Sequence, residues 1–518
     1  MSEQTTETNK KSAKGKFSII LIIGIAVLGA AITAFMLIQS SDKQTYFTAE
    51  KESLEFISDE IEERFQDEIA WQEVTEENPV ESDIVLSAEY NDPAPFGSAA
   101  EVEEIINNST VTINAQQDIE NKSLFADVSA DIAGLTFDDI RLHLTDTDLL
   151  VELPFLDDVL QLESEDTGKL LHEADPFAFD EDDNIDFADF FDPESFGISE
   201  EDREYLVEHY MSFIYNNLPD SAFSSEKEEV KVDGEEFKAE KVELHLTEDE
   251  FKEFLTSMIE EMEEDERLEE IVTSYFENNY VPADELEAML EDYDEAFDEA
   301  LEEIDEIELP EGITSTIWVK SGLIVKRDFH LAVVDDFGDE AEISVVGTQM
   351  LENKEQFFDY DLNVKDDFMD ETVNLSADLS WDGDKIDDTI TLDLNEFVLE
   401  YQGDETYKDA TRDFDRSISF LSPFATGSLV WEGNAEYEKD QMSSSHNFYL
   451  DAEEIGEDLL SVQLDVEGKQ IKEVDSIDVE NVKNIGKMSG IEMDQYIEGE
   501  AADQFFEWYM EKFGDLGF

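Results

Sequence analysis

The residues that could do chemistry are six histidines and a very large number of carboxylates. The histidines are His143, His172, His209, His245, His330 and His446, and none stands in an H-E-x-x-H motif or has ligand spacing on a helix. The chain has no cysteine, no G-x-S-x-G elbow, no P-loop and no dinucleotide fingerprint. With 138 acidic residues, finding a carboxylate pair for glycoside hydrolysis carries no weight. We assign no catalytic and no cofactor-binding residue, and predict that the protein is not an enzyme.

The acidic run at residues 180–186 partly matches a calcium-binding loop. Acidic or amide side chains fall at its positions one, three, five and seven. An EF-hand also needs glycine at position six and glutamate at position twelve, and these positions hold Ile185 and Phe191. The pattern favours a solvated acidic loop, weak divalent-cation binding stays open, and metal ligands stay unknown.

The charge balance restricts the partners. The chain has 32 basic and 138 acidic residues, a net charge of −106, yet 41% of its residues are hydrophobic and 11% aromatic. A surface of this sign repels nucleic acid, and a chain this apolar can bury a core rather than stay disordered. The balance is typical of adaptation to high salt, where charges are screened over about 3 Å.

An uncharged apolar segment at residues 17–38 follows Lys10, Lys11, Lys14 and Lys16. As a helix it would extend roughly 33 Å, enough for a hydrocarbon core of about 30 Å. The preceding lysines favour a cytoplasmic N-terminus. The sequence predicts an uncleaved single-pass anchor in the cell membrane with the bulk of the chain extracellular; a cleaved signal peptide is the alternative.

Patterning predicts an α+β fold, with an N-terminal transmembrane helix followed by antiparallel β-meander sheets and helices packed against them. Asp233-Gly234 indicates a hairpin, and Thr247 with Glu250 indicates a capping box. Five segments follow: a basic cytoplasmic tail (1–16), the transmembrane helix (17–38), a membrane-proximal helix (39–82), a first α+β segment with a helical insertion (83–310) and a β-rich segment with a C-terminal helix (311–518). The apolar stripe of the membrane-proximal helix is Phe47, Leu54, Ile57, Ile61 and Phe65.

Three stretches carry a resemblance to a known family. They are Y-F-T-A-E-K at 46–51, L-L-V-E-L-P-F-L at 149–156 and V-D-G-E-E-F-K-A-E-K at 232–241. With the lysine-flanked apolar segment, they resemble an uncharacterised family of Bacillus-type single-pass membrane proteins, a domain of unknown function that implies no active site. At the level of fold pattern alone, the chain is similar to lipoprotein carriers of the LolA and LppX type, which hold acyl chains on a concave apolar face.

These observations predict a non-catalytic, membrane-anchored extracellular protein with a binding or structural role at the cell envelope. Its expected partners are the membrane, through one helix, and an unidentified envelope protein or lipid. If the sheet is concave, its apolar face could take an amphiphile, a partner segment or the chain's own helices, and we favour the helices. Two alternatives stay open, a lipid or amphiphile carrier and a salt-dependent extracellular hydrolase.

The charge density predicts that the folded protein loses structure as salt is removed. Lowering NaCl from about 2 M to 0.01 M lengthens the Debye screening distance to about 30 Å, so neighbouring carboxylates repel one another almost fully. Circular dichroism across this range measures the effect. A spectrum that does not change would contradict the prediction.

Overall fold

The computed structural model describes residues 41–91, 98–174, 179, 184–192, 195, 197–279, 281, 283–306, 308–334, 338, 340–366, 370–423, 425–452, 459–479 and 481–513. In these residues the first six strands are β1 (Val80–Tyr90), β2 (Ser109–Asp118), β3 (Ser123–Ile132), β4 (Leu135–Thr145), β5 (Asp148–Glu152) and β6 (Val159–Glu163). The next seven are β7 (Phe223–Val232), β8 (Glu235–Leu246), β9 (Ile313–Lys320), β10 (Leu323–Val334), β11 (Glu340–Glu352), β12 (Glu355–Lys365) and β13 (Asp370–Asp382). The last seven are β14 (Lys385–Asp393), β15 (Val398–Lys408), β16 (Thr411–Leu421), β17 (Thr426–Tyr437), β18 (Gln441–Ala452), β19 (Leu460–Gln470) and β20 (Val482–Asn484).

The described α-helices occupy the two ends of the described chain and three stretches between strands. They are α1 (Asp42–Arg64), α2 (Gln66–Glu77), α3 (Ser98–Asn107), α4 (Thr167–Ala174), α5 (Glu200–Asn217), α6 (Glu248–Glu264), α7 (Glu266–Asn278), α8 (Ala283–Glu306), α9 (Gly490–Gln495) and α10 (Ala502–Phe513). The capping box predicted at Thr247 and Glu250 is present at the start of α6. The hairpin predicted at Asp233-Gly234 joins β7 to β8, and both turn residues have positive φ.

All twenty described strands belong to one sheet. Strands β7 to β19 form one antiparallel meander and β1 to β6 a second, and β19 pairs with β1 to join them. The short β20 adds to β6 in parallel. Strands β7 and β11 stand four places apart in this order, yet they contact each other, so the sheet curls at its β7 end.

This architecture corrects the predicted fold class. The strands make one continuous sheet instead of several meander sheets, because the pairing of β1 with β19 links residues almost 400 positions apart.

Among the residues that the structure describes, no helix is both long enough and apolar enough to cross a bilayer. The range 17–38 lies outside those residues. The structure therefore does not support the predicted fold class with an N-terminal transmembrane helix, nor the single-pass, extracellular localisation that depended on it, and the fold is corrected to one large, mostly antiparallel sheet with helices. Length and hydropathy alone do not place a segment in a bilayer.

The main apolar core lies between helices and one face of the sheet. It combines α1, α5, α6 and α8 with β8, β9 and β10, and includes Val242, Ile259, Ile304, Ile317 and Phe329. We call this side of the sheet the inner face. Paired residues in an antiparallel sheet point to the same side and successive residues to opposite sides, so the strand register extends the inner face from Ile317 through Phe329 to Leu375 and Glu405.

The helix pair α1–α2 lies across this inner face; Tyr46 and Ala49 near the start of α1 join the apolar core, whereas its C-terminal half is held by polar contacts. Arg64 of α1 donates two hydrogen bonds to the Asp388 carboxylate at 2.8 and 2.7 Å. Glu60 accepts hydrogen bonds from the Lys354 backbone amide and the Gln356 side chain, at 2.9 and 3.0 Å. The helix therefore presents charged groups to the sheet.

In the C-terminal half of α1 the predicted apolar stripe is not the side that packs on the sheet, although Phe47 at its start packs against the core. Glu60 and Arg64 are buried, whereas Ile61 and Phe65 are exposed. The spacing of apolar residues in this half of the helix therefore gave the wrong face, because ion pairs and hydrogen bonds from the sheet set the orientation of the helix.

We predict that removing one partner of the Arg64–Asp388 pair destabilises the fold, whereas replacing both partners by apolar residues does so much less. Arg64→Met leaves a largely buried carboxylate without its partner, and we expect a loss of about 3 kcal/mol in the free energy of unfolding. The double variant Arg64→Met/Asp388→Leu should recover most of that loss. Urea denaturation at constant NaCl measures both.

Lys51→Met is the matched control, because Lys51 lies on the same helix and pairs with the half-exposed Glu55. Its loss should stay at or below about 0.5 kcal/mol. Equal losses for Arg64→Met and Lys51→Met, or no recovery in the double variant, would contradict the prediction.

Candidate functional site

Side chains of β13–β18 alternate between a mainly apolar inner face and a polar outer face. On β16 the inner positions include Phe414, Ile418 and Phe420, whereas the outer ones include Asp413, Asp415, Ser417 and Ser419. Such alternation is typical of a strand that packs one side against apolar residues and exposes the other side to water. The inner side of these strands thus has the composition of a core.

Two neighbouring rows of inner residues cross these six strands. The first is Ala377, Ile390, Tyr401, Ile418, Leu429 and Leu450; the second is Leu375, Leu392, Leu399, Phe420, Gly427 and Ala452. We call the two rows together the open apolar face. Strand spacing gives it a length of about 24 Å across the strands, and the rows are about 7 Å apart along them.

The open apolar face is exposed where a core would be covered. Leu375, Ile418 and Leu429 are 42%, 43% and 42% exposed, whereas Ile317, on the same face under the helices, is fully buried. Helices α1 and α2 cover the inner face nearer the hairpin turns, at Gln356, Asp388 and the residues beyond them. Three side chains of the two rows are thus exposed to solvent, whereas the others are partly buried and Gly427 is buried.

One flank of α1 borders the open apolar face. Glu63 forms an ion pair with Lys354, beside the β11–β12 turn, at 3.2 Å. At 3.6 residues per turn, Ile61 projects about 160° away from Glu63 and therefore towards the open rows. Ile61 is 52% exposed and is an apolar side chain on this flank of α1.

A layer of ion pairs lies between the open apolar face and the hairpin turns. Glu405 accepts hydrogen bonds from Arg412 at 2.5 Å and from Arg416 at 2.6 Å, and Arg412 also bonds Glu68 of α2 at 2.9 Å. Arg412 reaches the carbonyl oxygen of Arg64 as well. This ion-pair layer joins α1, α2, β15 and β16.

Aromatic rings pack beside this layer. The guanidinium of Arg416 lies 4.4 Å from the ring centroid of Phe414 and 4.5 Å from that of Trp431. Trp431 stacks on Phe448, with centroids 5.6 Å apart and planes 18° apart. A Cβ on Gly433 would come within 2.7 Å of the Phe414 ring, so glycine at this position makes room for it.

The electrostatics of the layer follow from burial and pairing. Burial by itself would raise the pKa of Glu405, but hydrogen bonds and charge from Arg416 and Arg412 outweigh it and hold that pKa below its usual value. Burial raises the pKa of Asp388, and the Arg64 pair offsets this only in part. Burial, aided by the nearby Arg416 charge, lowers the pKa of His446, so this imidazole is neutral at pH 7.

A polar pocket of about 600 Å³ lies on the outer face of β2–β5 and contains acidic side chains. Its Arg141 bonds Asp127 at 3.0 Å and Glu152 at 3.3 Å, and also Asp139 at 2.7 Å. The aromatic ring of Phe125 in its lining is buried. Among the described residues the pocket is thus an ion-pair cluster around one arginine, without an exposed aromatic platform for a sugar.

The six histidines do not assemble into a site. Their polar neighbours are Ser123 for His143, the Phe179 carbonyl for His172, Glu261 for His209, Thr314 for His245, Glu342 for His330, and Trp431 and Ser444 for His446. In the part of the chain that the structure describes, no group of three or more acidic or histidine side chains could hold a metal ion. Residues 180–183 of the acidic run lie outside that part.

The sequence allowed for an apolar sheet face but did not locate its open part, and favoured covering it with the chain's own helices. The alternation of β13–β18 was readable, and it predicts that one side of the sheet is half buried. Which part of that side the helices cover depends on contacts such as Arg64 with Asp388, 324 positions apart, and has no local signal.

Comparison with known proteins does not identify a family. No protein-family model matches this chain, and no curated protein matches it. Matches among solved structures include a bacterial polysaccharide outer membrane secretin (6% identity, 76% of this chain and 99% of that chain, TM-score 0.22) and the CymD monoaromatic hydrocarbon channel (7%, 77% and 89%, TM-score 0.15). A loop-deletion mutant of OmpT from Vibrio cholerae also matches (9%, 76% and 98%, TM-score 0.15). These TM-scores are too low to support an argument, and the resemblance to the Bacillus-type family stays a prediction.

We predict that Glu405 stabilises the fold in a pH-dependent way. Its folded-state pKa is depressed, so its contribution is complete above the unfolded glutamate pKa of about 4.3 and is lost as pH falls through the lower folded value. Glu405→Gln should cost about 3 kcal/mol at pH 7, because it leaves Arg412 and Arg416 buried without their shared partner. Urea unfolding from pH 7 to pH 3 should show the difference from the unmodified protein shrinking below about pH 4.3.

The control is Asp404→Asn, which removes one negative charge from the neighbouring, exposed outer position on the same strand. Its effect at pH 7 should be within about 0.5 kcal/mol. A Glu405→Gln difference that stays constant down to pH 3 would show that the carboxylate is not the stabilising group.

Proposed function

We propose that the protein is a non-catalytic binding protein and that the open apolar face is where it binds an amphiphilic molecule. The supporting observation is that Leu375, Ile418 and Leu429, in two adjacent rows of mostly apolar side chains, are more than 40% exposed on the same face of the sheet that carries the main core. Contiguous exposed apolar patches of a few hundred Å² mark interaction sites, whereas isolated exposed leucines do not.

The shape of the face favours a small elongated ligand. The face is a band about 24 Å long with a helix flank along one side, and Ile61 lies on that flank. A ligand lying along the band would contact several strands and the flank together. The side chains below it, from Ile390 to Leu429, are held by strand pairing on both sides, so they are preorganised for binding.

Two other hypotheses, a salt-dependent hydrolase and an apolar face covered by the chain's own helices, account for less of the structure. A hydrolase needs a cleft with convergent carboxylates, and in the outer pocket Asp127 and Glu152 are both bonded to Arg141. The described helices cover the inner face over β8–β11 and nearer the turns, which leaves the two open rows unexplained by the chain's own helices. Binding of an amphiphile explains these rows directly.

We expect Leu429→Asp to weaken binding of an uncharged apolar probe at least about tenfold. A carboxylate in the band must be desolvated when the probe binds, and this cost exceeds the roughly 1.4 kcal/mol that corresponds to tenfold. Fluorescence titration of the full chain with Nile red, which is uncharged, measures the affinity. Leu421→Asp is the matched control, because Leu421 is 53% exposed, lies on the neighbouring strand and points to the outer face.

Equal affinities for the two variants would contradict the proposal. A second combination of results would also contradict it: the unmodified chain does not bind the probe, and Leu429→Asp, but not Leu421→Asp, lowers the free energy of unfolding by several kcal/mol. That result would show that part of the chain itself, such as the apolar residues 17–38, covers the band.

A further inference from the structure

We propose that the amphiphile bound on the open apolar face carries a cationic head group, an ammonium or a guanidinium, and not an anionic one. This inference rests on the proposed function and adds the charge of the ligand. Three features of the structure support it: the pairing of nearby arginines, the aromatic rings beside the band, and the carboxylates at its far end.

The arginines next to the band already have carboxylate partners. Arg416 is 2.6 Å from Glu405, and Arg412 lies between Glu405 and Glu68. Arg64 is paired with Asp388 at 2.7 Å. An anionic head group at this side of the band would have to break one of these buried pairs, which would leave a carboxylate without its partner.

The aromatic rings beside the band suit a cation. Trp431 and Phe448 occupy the row of inner residues next to that of Ile418 and Leu429, and stack on each other. Trp431 packs against the Arg416 guanidinium, 4.5 Å from its ring centroid, as well as against Phe448, so its ring shows that a cation is accommodated here but is itself already occupied. Tyr401, in the band itself, supplies a further ring. Aromatic faces attract ammonium and guanidinium groups through the ring quadrupole.

The far end of the band carries exposed carboxylates. Glu371 lies on the inner face of β13, two rows beyond Leu375, and is exposed there. The Asn395 side chain of the β14–β15 turn donates a hydrogen bond to Glu371 at 3.1 Å, and Glu396 follows in the same turn. Glu371 lies about 13 Å along the strand from Leu375 and the screening distance at 0.15 M salt is about 8 Å, so these groups act on a head group that extends past the band towards them. The net charge of −106 adds attraction for cations over the whole surface.

The test uses three amphiphiles that share the same brominated alkyl chain. Their head groups are a trimethylammonium, an uncharged maltoside and a sulfate. Each is used below its critical micelle concentration. Bromine quenches tryptophan fluorescence at close range, so Trp431 reports occupation of the band, and Trp431→Phe identifies its share of the signal in the full chain. At 0.15 M NaCl we expect the trimethylammonium compound to bind about tenfold more tightly than the maltoside, and the sulfate more weakly than either. At 2 M NaCl the three should differ by less than about threefold.

Two pairs of variants locate the effect. Leu429→Ser should reduce quenching by all three compounds, and Leu421→Ser, on the outer face, should not. Glu371→Gln should lower the preference for trimethylammonium over maltoside about two- to threefold, whereas the outer-face control Asp404→Asn should leave it unchanged.

The outcomes separate this inference from the proposed function. If no compound quenches Trp431, or if quenching survives Leu429→Ser, the open apolar face does not bind amphiphiles and both fail. If the maltoside binds and the sulfate binds as tightly as the trimethylammonium compound, the proposed function holds and the inferred cationic head group is overturned.

Discussion

The polar contacts between α1–α2 and the sheet determine how the rest of the inner face is used. Arg64 with Asp388, Glu60 with Gln356, and Glu68 with Arg412 fix the helix pair close to the hairpin turns. Directional contacts of this kind allow one position, whereas an apolar helix face could slide along an apolar sheet. The helices therefore do not move over the two rows that include Ile418 and Leu429, and these rows stay open.

This arrangement also explains where a chain with so few basic residues places them. Arg64, Arg327 and Arg412 are largely buried, and each pairs with a carboxylate inside the fold. Internal pairs are screened little by salt, whereas repulsion between surface carboxylates is screened strongly. Because each internal pair is close to neutral, the net negative charge of the chain remains at its surface, and the dependence of the fold on salt remains with it.

The sequence allowed local features to be predicted and failed where distant residues decide. The turn at Asp233-Gly234 and the cap at Thr247 depend on a few neighbouring residues, and both are present. The pairing of β1 with β19 has no local signal, so one sheet was predicted as several. For α1, Glu60 and Arg64 are residue types that normally face solvent, and only their partners on the sheet make burial favourable. The histidines could be set aside from spacing alone, whereas the open apolar face required the position of α1.

The open apolar face is better explained as a preformed site than as incomplete packing. Incomplete packing would be relieved by a shift of α1 along the strands, but that shift would separate Arg64 from Asp388 and leave two buried charges unpaired, at a cost of several kcal/mol. Covering the exposed parts of Leu375, Ile418 and Leu429 would return a gain of similar size or less at about 25 cal/mol per Å². The fold therefore keeps the band open, and a ligand that covers it gains the apolar contact without disturbing the ion pairs.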